Sequence, residues 1–243
     1  MNEAEVALIV GVGPGLGASL ATRFAKAEMH VAIGARNLDR IAGIAADCCG
    51  IVHGALAYRV EVTEEHSVES LFDQVIADLG VPRVVVYNAG AFVKKGLIET
   101  GVDEFERCWR VGCLGGFLVG RAAARHMLTR IEAGGSGGTI IFTGATASLR
   151  GGAQFHNLAV GKFGLRALAQ SMAREFQPKG IHVAHVVIDG QIASDRSGYR
   201  PEERGIDAVL DPNAIAETYF QLHRQPRSAW TLEVDLRPWV ERF

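Results

Sequence analysis

What this sequence lacks narrows its functions before any motif is read. It has no excess of charge of either sign: 25 Lys and Arg stand against 27 Asp and Glu, a formal net charge of -2. No global basic field is available to hold a nucleic-acid backbone or an anionic membrane surface, so neither is an expected partner. No uninterrupted apolar run approaches the ~20 residues that span a bilayer. The acidic start, Met1-Asn2-Glu3-Ala4-Glu5, passes directly into an apolar stretch without the charged and hydrophobic regions of a signal peptide. Cysteine chemistry is also scarce. Cys48, Cys49, Cys108 and Cys113 form neither a C-x-x-C pair nor a His/Cys metal spacing, and neighbours as close as Cys48 and Cys49 rarely bridge without strain. They read as reduced thiols in a cytoplasmic compartment with no metal site, and the missing membrane span leads to the expectation of a soluble protein. Internal repeats and low-complexity tracts are missing, and the glycine-rich run Ala133-Gly134-Gly135-Ser136-Gly137-Gly138 is too short for a domain linker. With 243 residues, 48% of them hydrophobic, the chain is expected to form one domain over residues 1–243 around a large core.

What is present is organised around Gly11-Val12-Gly13-Pro14-Gly15-Leu16-Gly17. The apolar run Val6-Ala7-Leu8-Ile9 leads into this turn, and a helical pattern from Leu16 to Ala27 leaves it. A strand, a glycine-rich turn and a helix in succession let backbone approach a pyrophosphate unobstructed, while the free N–H groups and dipole of the helix favour the negative charge. The βα alternation then continues. His30 to Ala35 reads as a second strand, with a helical segment beginning at Arg36. Ala55 to Val60 reads as a third strand, and Thr63 is placed to cap a helix ending at Leu79. Arg83 to Tyr87 is nearly all apolar, as strands covered on both faces are. A long helical region follows from a cap at Thr100 to Asp103, interrupted by Gly112, Gly115 and Gly116. Thr139 to Thr143 reads as a fifth strand, Leu158 to Phe176 as a helix and Ile181 to Ile188 as a sixth strand. Residues 190–211 are irregular and predict a substrate lid, in which Arg196, Tyr199, Arg200 and Arg204 are candidate lining residues. Asn213 to His223 predicts a short helix and Trp230 to Leu236 a last strand. Repeated right-handed crossovers of this kind give an α/β fold, a doubly wound parallel sheet of Rossmann type with helices on both faces. Ligands of such a sheet bind at the carboxyl ends of its strands.

Three separated motifs in this order resemble the short-chain dehydrogenase/reductases: the glycine turn, Asn88-Ala89-Gly90 directly after the fourth strand, and Lys162 on the sixth helix. The resemblance covers roughly residues 4 to 195. It implies a nicotinamide dinucleotide on Gly11, Gly13, Gly15, Leu16 and Gly17, flanked by Asn88, Ala89 and Gly90, with Glu61 and Val62 near the adenine. It further implies Lys162 at the cofactor ribose and Ser194 at the nicotinamide carboxamide. Cofactor choice follows from charge. A ribose diol is held by an acid at the end of the second strand, whereas a 2′-phosphate needs a cation. Ala35 and Arg36 stand there, and an arginine forks onto phosphate, so NADP(H) is favoured over NAD(H).

The catalytic pattern of that family is not reproduced. The resemblance implies a Tyr four residues before the Lys, a Ser thirteen before the Tyr and an Asn on the preceding long helix. Leu158, Ala145 and Gly112 occupy these places. None has a side chain that donates a proton or holds an oxyanion. Thr146, His156 and Lys162 are the remaining candidate catalytic residues, although on an ideal helix His156 and Asn157 lie about 120° and 140° from Lys162. Two functions follow. One is an NADP(H)-dependent oxidoreductase acting on a small carbonyl or alcohol substrate with non-standard catalytic residues. The other is a catalytically silent NADP(H)-binding protein serving as a redox sensor or oligomer partner. The resemblance also implies a homodimer or homotetramer built through the last helices and strand, where Trp230 and Trp239 are candidate interface anchors.

Overall fold

The computed structural model describes residues 4–193, 205 and 207–241. The expectations for Ser194, Arg196, Tyr199, Arg200 and Arg204 therefore concern residues outside those described. Seven strands form one sheet in the order β3-β2-β1-β4-β5-β6-β7: β1 (Val6–Val10), β2 (His30–Ala35), β3 (Ala55–Arg59), β4 (Val84–Tyr87), β5 (Thr139–Thr143), β6 (His182–Ile188) and β7 (Glu233–Leu236). Every neighbouring pair is parallel. β1, β4, β5 and β6 are buried along their whole length, the reason their sequences run apolar without alternation.

Helices cover both faces. On one side α3 (Glu65–Leu79), α5 (Gly115–Glu132) and α6 (His156–Phe176) pack Phe72, Met127 and Leu165 against Tyr87 and Phe142 of the sheet. On the other, α1 (Leu16–Ala25), α2 (Ala42–Cys49) and α7 (Pro212–Arg224) bury Leu20, Phe24, Ile41 and Tyr219 against Ile9, Val86 and Ala184. Each such side chain contributes ~1.5–3 kcal/mol by leaving water. α4 (Val102–Trp109) precedes α5 and packs on α6. None of the helices among the described residues is long and apolar enough to cross a membrane.

Several element ends differ from the sequence expectation, each for a local reason. α1 stops at Ala25, where the chain turns through Glu28 at φ 60° into β2. The segment from Arg36 is a turn held by the Asp39 N–H donating to Asn37 Oδ1 at 2.9 Å, so α2 begins only at Ala42. Thr63 does not cap α3, because its hydroxyl and N–H donate to the Glu61 carboxylate. Thr100 likewise does not cap α4: its hydroxyl donates to Gly96 O at 2.7 Å, and the Glu104 carboxylate accepts from Gly101 N at the helix start. The long helical region breaks at a π-turn, Arg110–Leu114, in which Tyr87 OH donates to the Val111 carbonyl. α6 starts at His156, before Leu158. The last strand starts at Glu233, because Trp230 stacks on His182 with centroids 5.0 Å apart instead of extending the sheet.

Candidate functional site

In the strand order, β1 and β4 are neighbours at the point where chain connections reverse direction, which leaves a crevice beyond their carboxyl ends. A cavity of about 550 Å³ occupies it. Its floor is the glycine turn. Gly11 N and Val12 N donate to Gly34 O at 2.8 and 3.1 Å, tying the turn to β2. Gly11 has φ 92°, and a Cβ there would overlap the Ala89 backbone, so only glycine fits between the first and fourth strand ends. At Gly13 nothing lies within 4 Å of where a Cβ would be, and this backbone faces open cavity. Gly17 packs behind it, where a Cβ would come within 2.9 Å of Val12 Cα. The α1 N-terminus that follows carries no side-chain cap among the described residues; Ala18 N donates to Gly13 O at 3.1 Å, which leaves the N–H groups of Leu16 and Gly17 for an anion.

Gly11, Gly13, Gly15, Leu16, Arg36, Glu61, Val62, Asn88, Ala89 and Gly90 all line this one cavity. Asn88 is the clip between two of its walls: Asn88 N donates to Val10 O at 2.8 Å and Nδ2 to Gly11 O at 3.0 Å. Arg36 is exposed at the end of β2, and the residue before it, Ala35, supplies no acid. Glu61 keeps its carboxylate on Thr63, and its N–H donates to Ser67 Oγ at 2.9 Å. The opposite wall comes from the carboxyl ends of two strands and the residues just beyond them: Thr143, Gly144 and Ala145 at β5, and Ile188, Gly190, Gln191 and Ile192 at β6; apart from Ala145, the expected site residues did not include them. Their position at and beyond the ends of two apolar strands was the signal that finds them. These features fit a dinucleotide: a long cleft, a side-chain-free floor at Gly13 and an uncapped helix start.

Around the expected reaction centre the structure separates the three candidate catalytic residues. Lys162 is buried and its Nζ donates to the Thr143 carbonyl at 2.6 Å; burial pulls its pKa down to about 8. Thr146 donates its hydroxyl to Asp189 Oδ1, and Asp189 Oδ2 lies 3.3 Å from Arg237 Nη2. That buried carboxylate thus joins the ends of β5, β6 and β7. His156 opens α6 with Nε2 3.0 Å from Thr100 Oγ1 and its ring stacked on Phe105, and none of the three candidates is among the residues that line the cavity; Lys162, expected at the cofactor ribose, reaches it only through the Thr143 carbonyl. Leu158 is half-buried one turn before Lys162, and Ala145 faces the cavity with a methyl group. Gly112 sits in the π-turn against α6, where a Cβ would come within 3.2 Å of Gly161 Cα. The two helices meet there backbone to backbone.

The family model described as short chain dehydrogenase matches residues 5–204. A short-chain dehydrogenase/reductase of Armillaria gallica is 32% identical over 186 residues, covering 75% of this chain and 69% of its own. A short-chain dehydrogenase from Rhodopseudomonas palustris, known from its crystal structure, superposes with TM-score 0.81 at 38% identity, covering 97% of this chain and 99% of its own. An alcohol dehydrogenase from Thermococcus sibiricus, solved with 5-hydroxy-NADP, superposes with TM-score 0.85 at 26% identity, covering 99% of both chains.

Proposed function

This chain belongs to the short-chain dehydrogenase family, and on that premise we propose that it is an oxidoreductase binding NADP(H) in the cavity above β1 and β4 and acting on a small carbonyl or alcohol. The observation that carries the cofactor choice is Arg36: an exposed guanidinium with no acid before it, lining the cavity at the end of β2, where a 2′-phosphate would be recognised. The uncapped start of α1 and the bare backbone at Gly13 support a pyrophosphate beside it.

NADP(H), when bound, supplies or accepts the hydride. The protein's part is to orient, exclude water and handle one proton. Asn88 fixes the wall that the nicotinamide half would pass, through its bonds to Val10 O and Gly11 O. The Lys162 ammonium, held on Thr143 O with its pKa lowered to about 8, stays mostly charged at neutral pH, gives up a proton more readily than an ordinary lysine and is the proton donor that the site retains behind the Thr143 wall. Thr146 donates to Asp189 and stands outside the residues that line the cavity, so its part is to position that carboxylate at the strand ends and not to meet substrate. His156 is assigned no step, because it is held on Thr100.

A second reading is favoured by Leu158 and Ala145, which put hydrocarbon where the family's proton donor and oxyanion donor belong. A site without both loses roughly 10²-fold or more for each. In that reading the chain binds NADP(H) without turnover, as a redox sensor or oligomer partner. Turnover of NADPH with a panel of ketones, aldehydes and quinones, in the wild type and in Ala145→Ser/Leu158→Tyr, separates the two. Wild-type turnover that falls in Lys162→Met establishes the oxidoreductase, and turnover only in the double variant establishes the silent binder.

The homodimer or homotetramer reading is supported by the β7 edge of the sheet, to which no further strand pairs among the described residues, and by the exposed Trp239, Val160 and Phe163. Four free cysteines support a reducing, cytoplasmic setting.

A further inference from the structure

β5 carries a threonine at each end, Thr139 and Thr143, around the apolar Ile140-Ile141-Phe142, and their four-residue spacing puts both on one face of the strand. α7 meets that face with Tyr219 and His223, also four apart and so one helical turn from each other. Both pairs close: His223 Nδ1 lies 3.1 Å from Thr139 Oγ1, and Tyr219 OH donates to Thr143 Oγ1 at 3.0 Å. The two threonines differ in what else they meet. Thr139 starts the strand and is not among the residues that line the cavity, whereas Thr143 ends it and is. From the other face of the sheet, α6 sends Lys162 Nζ to the Thr143 carbonyl at 2.6 Å. A phenol and an ammonium, both buried, thus reach one wall residue from opposite sides.

One polar group of Thr143 is left over. Burial raises the Tyr219 pKa above the ordinary tyrosine value, so the phenol keeps its proton and donates it to the Thr143 hydroxyl oxygen. A hydroxyl that accepts still carries its own hydrogen. That hydrogen is turned away from the phenol, and no acceptor for it is found among the described residues.

We propose that Thr143 is a cofactor-binding residue whose hydroxyl donates to an oxygen of the dinucleotide lying along the β5 wall, and that Tyr219 is the positioning residue that holds the hydroxyl for it. This rests on the reading of the cavity as a nicotinamide dinucleotide site. β5 stands three strands from β2, roughly 14 Å at the usual strand spacing, so the Thr143 bond is independent of Arg36 and serves NADPH and NADH alike.

The test is fluorescence titration of NADPH and NADH into the wild type, Thr143→Val, Thr143→Ser, Tyr219→Phe and Thr143→Val/Tyr219→Phe, beside urea unfolding of each. Valine keeps the branching of threonine and leaves the buried phenol without its acceptor, so Thr143→Val is expected to lose stability as well as affinity. The double variant has neither hydroxyl, is expected to recover most of that stability, and serves where Thr143→Val fails to fold. Affinity for both nucleotides is expected to fall roughly three- to tenfold in Thr143→Val and to stay down in the double variant, the scale of one lost hydrogen bond. Thr143→Ser is expected to restore it, and Tyr219→Phe alone to weaken it by a smaller factor. A threonine that served only Tyr219 would let affinity return with stability in the double variant. Wild-type affinity in Thr143→Val or in the double variant, or a loss in Thr143→Ser as large as in Thr143→Val, overturns the proposal, and wild-type affinity in Tyr219→Phe overturns the part given to Tyr219. A wild type that binds neither nucleotide removes the cofactor reading and the proposal with it. Equal wild-type affinities for NADPH and NADH, both falling in Thr143→Val, support the proposal and remove only the part of that reading that concerns Arg36.

Discussion

Asn88 Nδ2 donates to the Gly11 carbonyl at 3.0 Å, and this one bond ties the end of β4 to the glycine turn after β1. A Cβ at Gly11 would overlap the Ala89 backbone at the same point, so the two halves of the cavity floor are packed directly on each other. Asn88→Ala removes the side-chain donor and leaves that carbonyl without this partner. A net loss of about 1 kcal/mol in urea unfolding is expected. NADPH affinity, measured by fluorescence titration, is expected to fall as well, because the wall is no longer positioned. An Asn88→Ala protein with wild-type affinity would show that the clip does not shape the site.

Lys162 is a buried cation whose pKa is lowered by desolvation to about 8 from 10.5. The folded state therefore holds this proton less tightly than the unfolded state, and the sign follows: the charged lysine costs stability below about pH 8, and that cost shrinks as pH rises from there toward 10.5. Lys162→Met is expected to stabilise the apoprotein at neutral pH by on the order of 1–3 kcal/mol, less whatever the Thr143 bond contributes. The advantage should diminish above pH 8. Chemical unfolding at several pH values measures it, and a variant less stable than wild type at neutral pH would show that the bond to Thr143 outweighs the desolvation.

At the opposite end of the sheet, Glu5 accepts from Arg83 Nε at 2.9 Å and lies 3.5 Å from His223 Nε2. The His223 bond first, then Arg83, lowers its pKa to about 2 from 4.5. Because the folded-state pKa is depressed, Glu5 contributes stability fully above about pH 4.5 and loses it as pH falls toward 2. Glu5→Gln is expected to lower stability at neutral pH and to flatten the acid limb of the stability curve between those values. The effect should be modest, since the Glu5 side chain is 37% exposed and solvent screens the pair. Thermal unfolding across that pH range tests it, and parallel curves for the two proteins would remove the assignment.

The strands and the glycine turn were legible in the sequence because strands covered on both faces must run apolar and the first turn must admit backbone. Those are requirements of residue type. Helix starts were less legible, since they depend on where a polar side chain finds its partner: Thr63 turns to Glu61, and Thr100 to Gly96 and His156. At the site, the cofactor floor follows from local motifs. The Thr146–Asp189–Arg237 network and the His185–Glu233–Arg166 cluster each join residues from three elements far apart in the chain, and no spacing rule points to them. The π-turn is a third case. Its glycines were visible, but not that Gly112 would meet Gly161 while the Val111 carbonyl turned to Tyr87.

The central claim is that the cavity over β1 and β4 takes NADP(H) with Arg36 reading its 2′-phosphate. Parallel fluorescence titrations of wild type and Arg36→Ala with NADPH and NADH test it most directly. Tighter binding of NADPH by the wild type is expected, with the preference reduced roughly tenfold or more in Arg36→Ala through loss of a charge-assisted pair. Equal affinities in the wild type, or a preference that survives in Arg36→Ala, would contradict it.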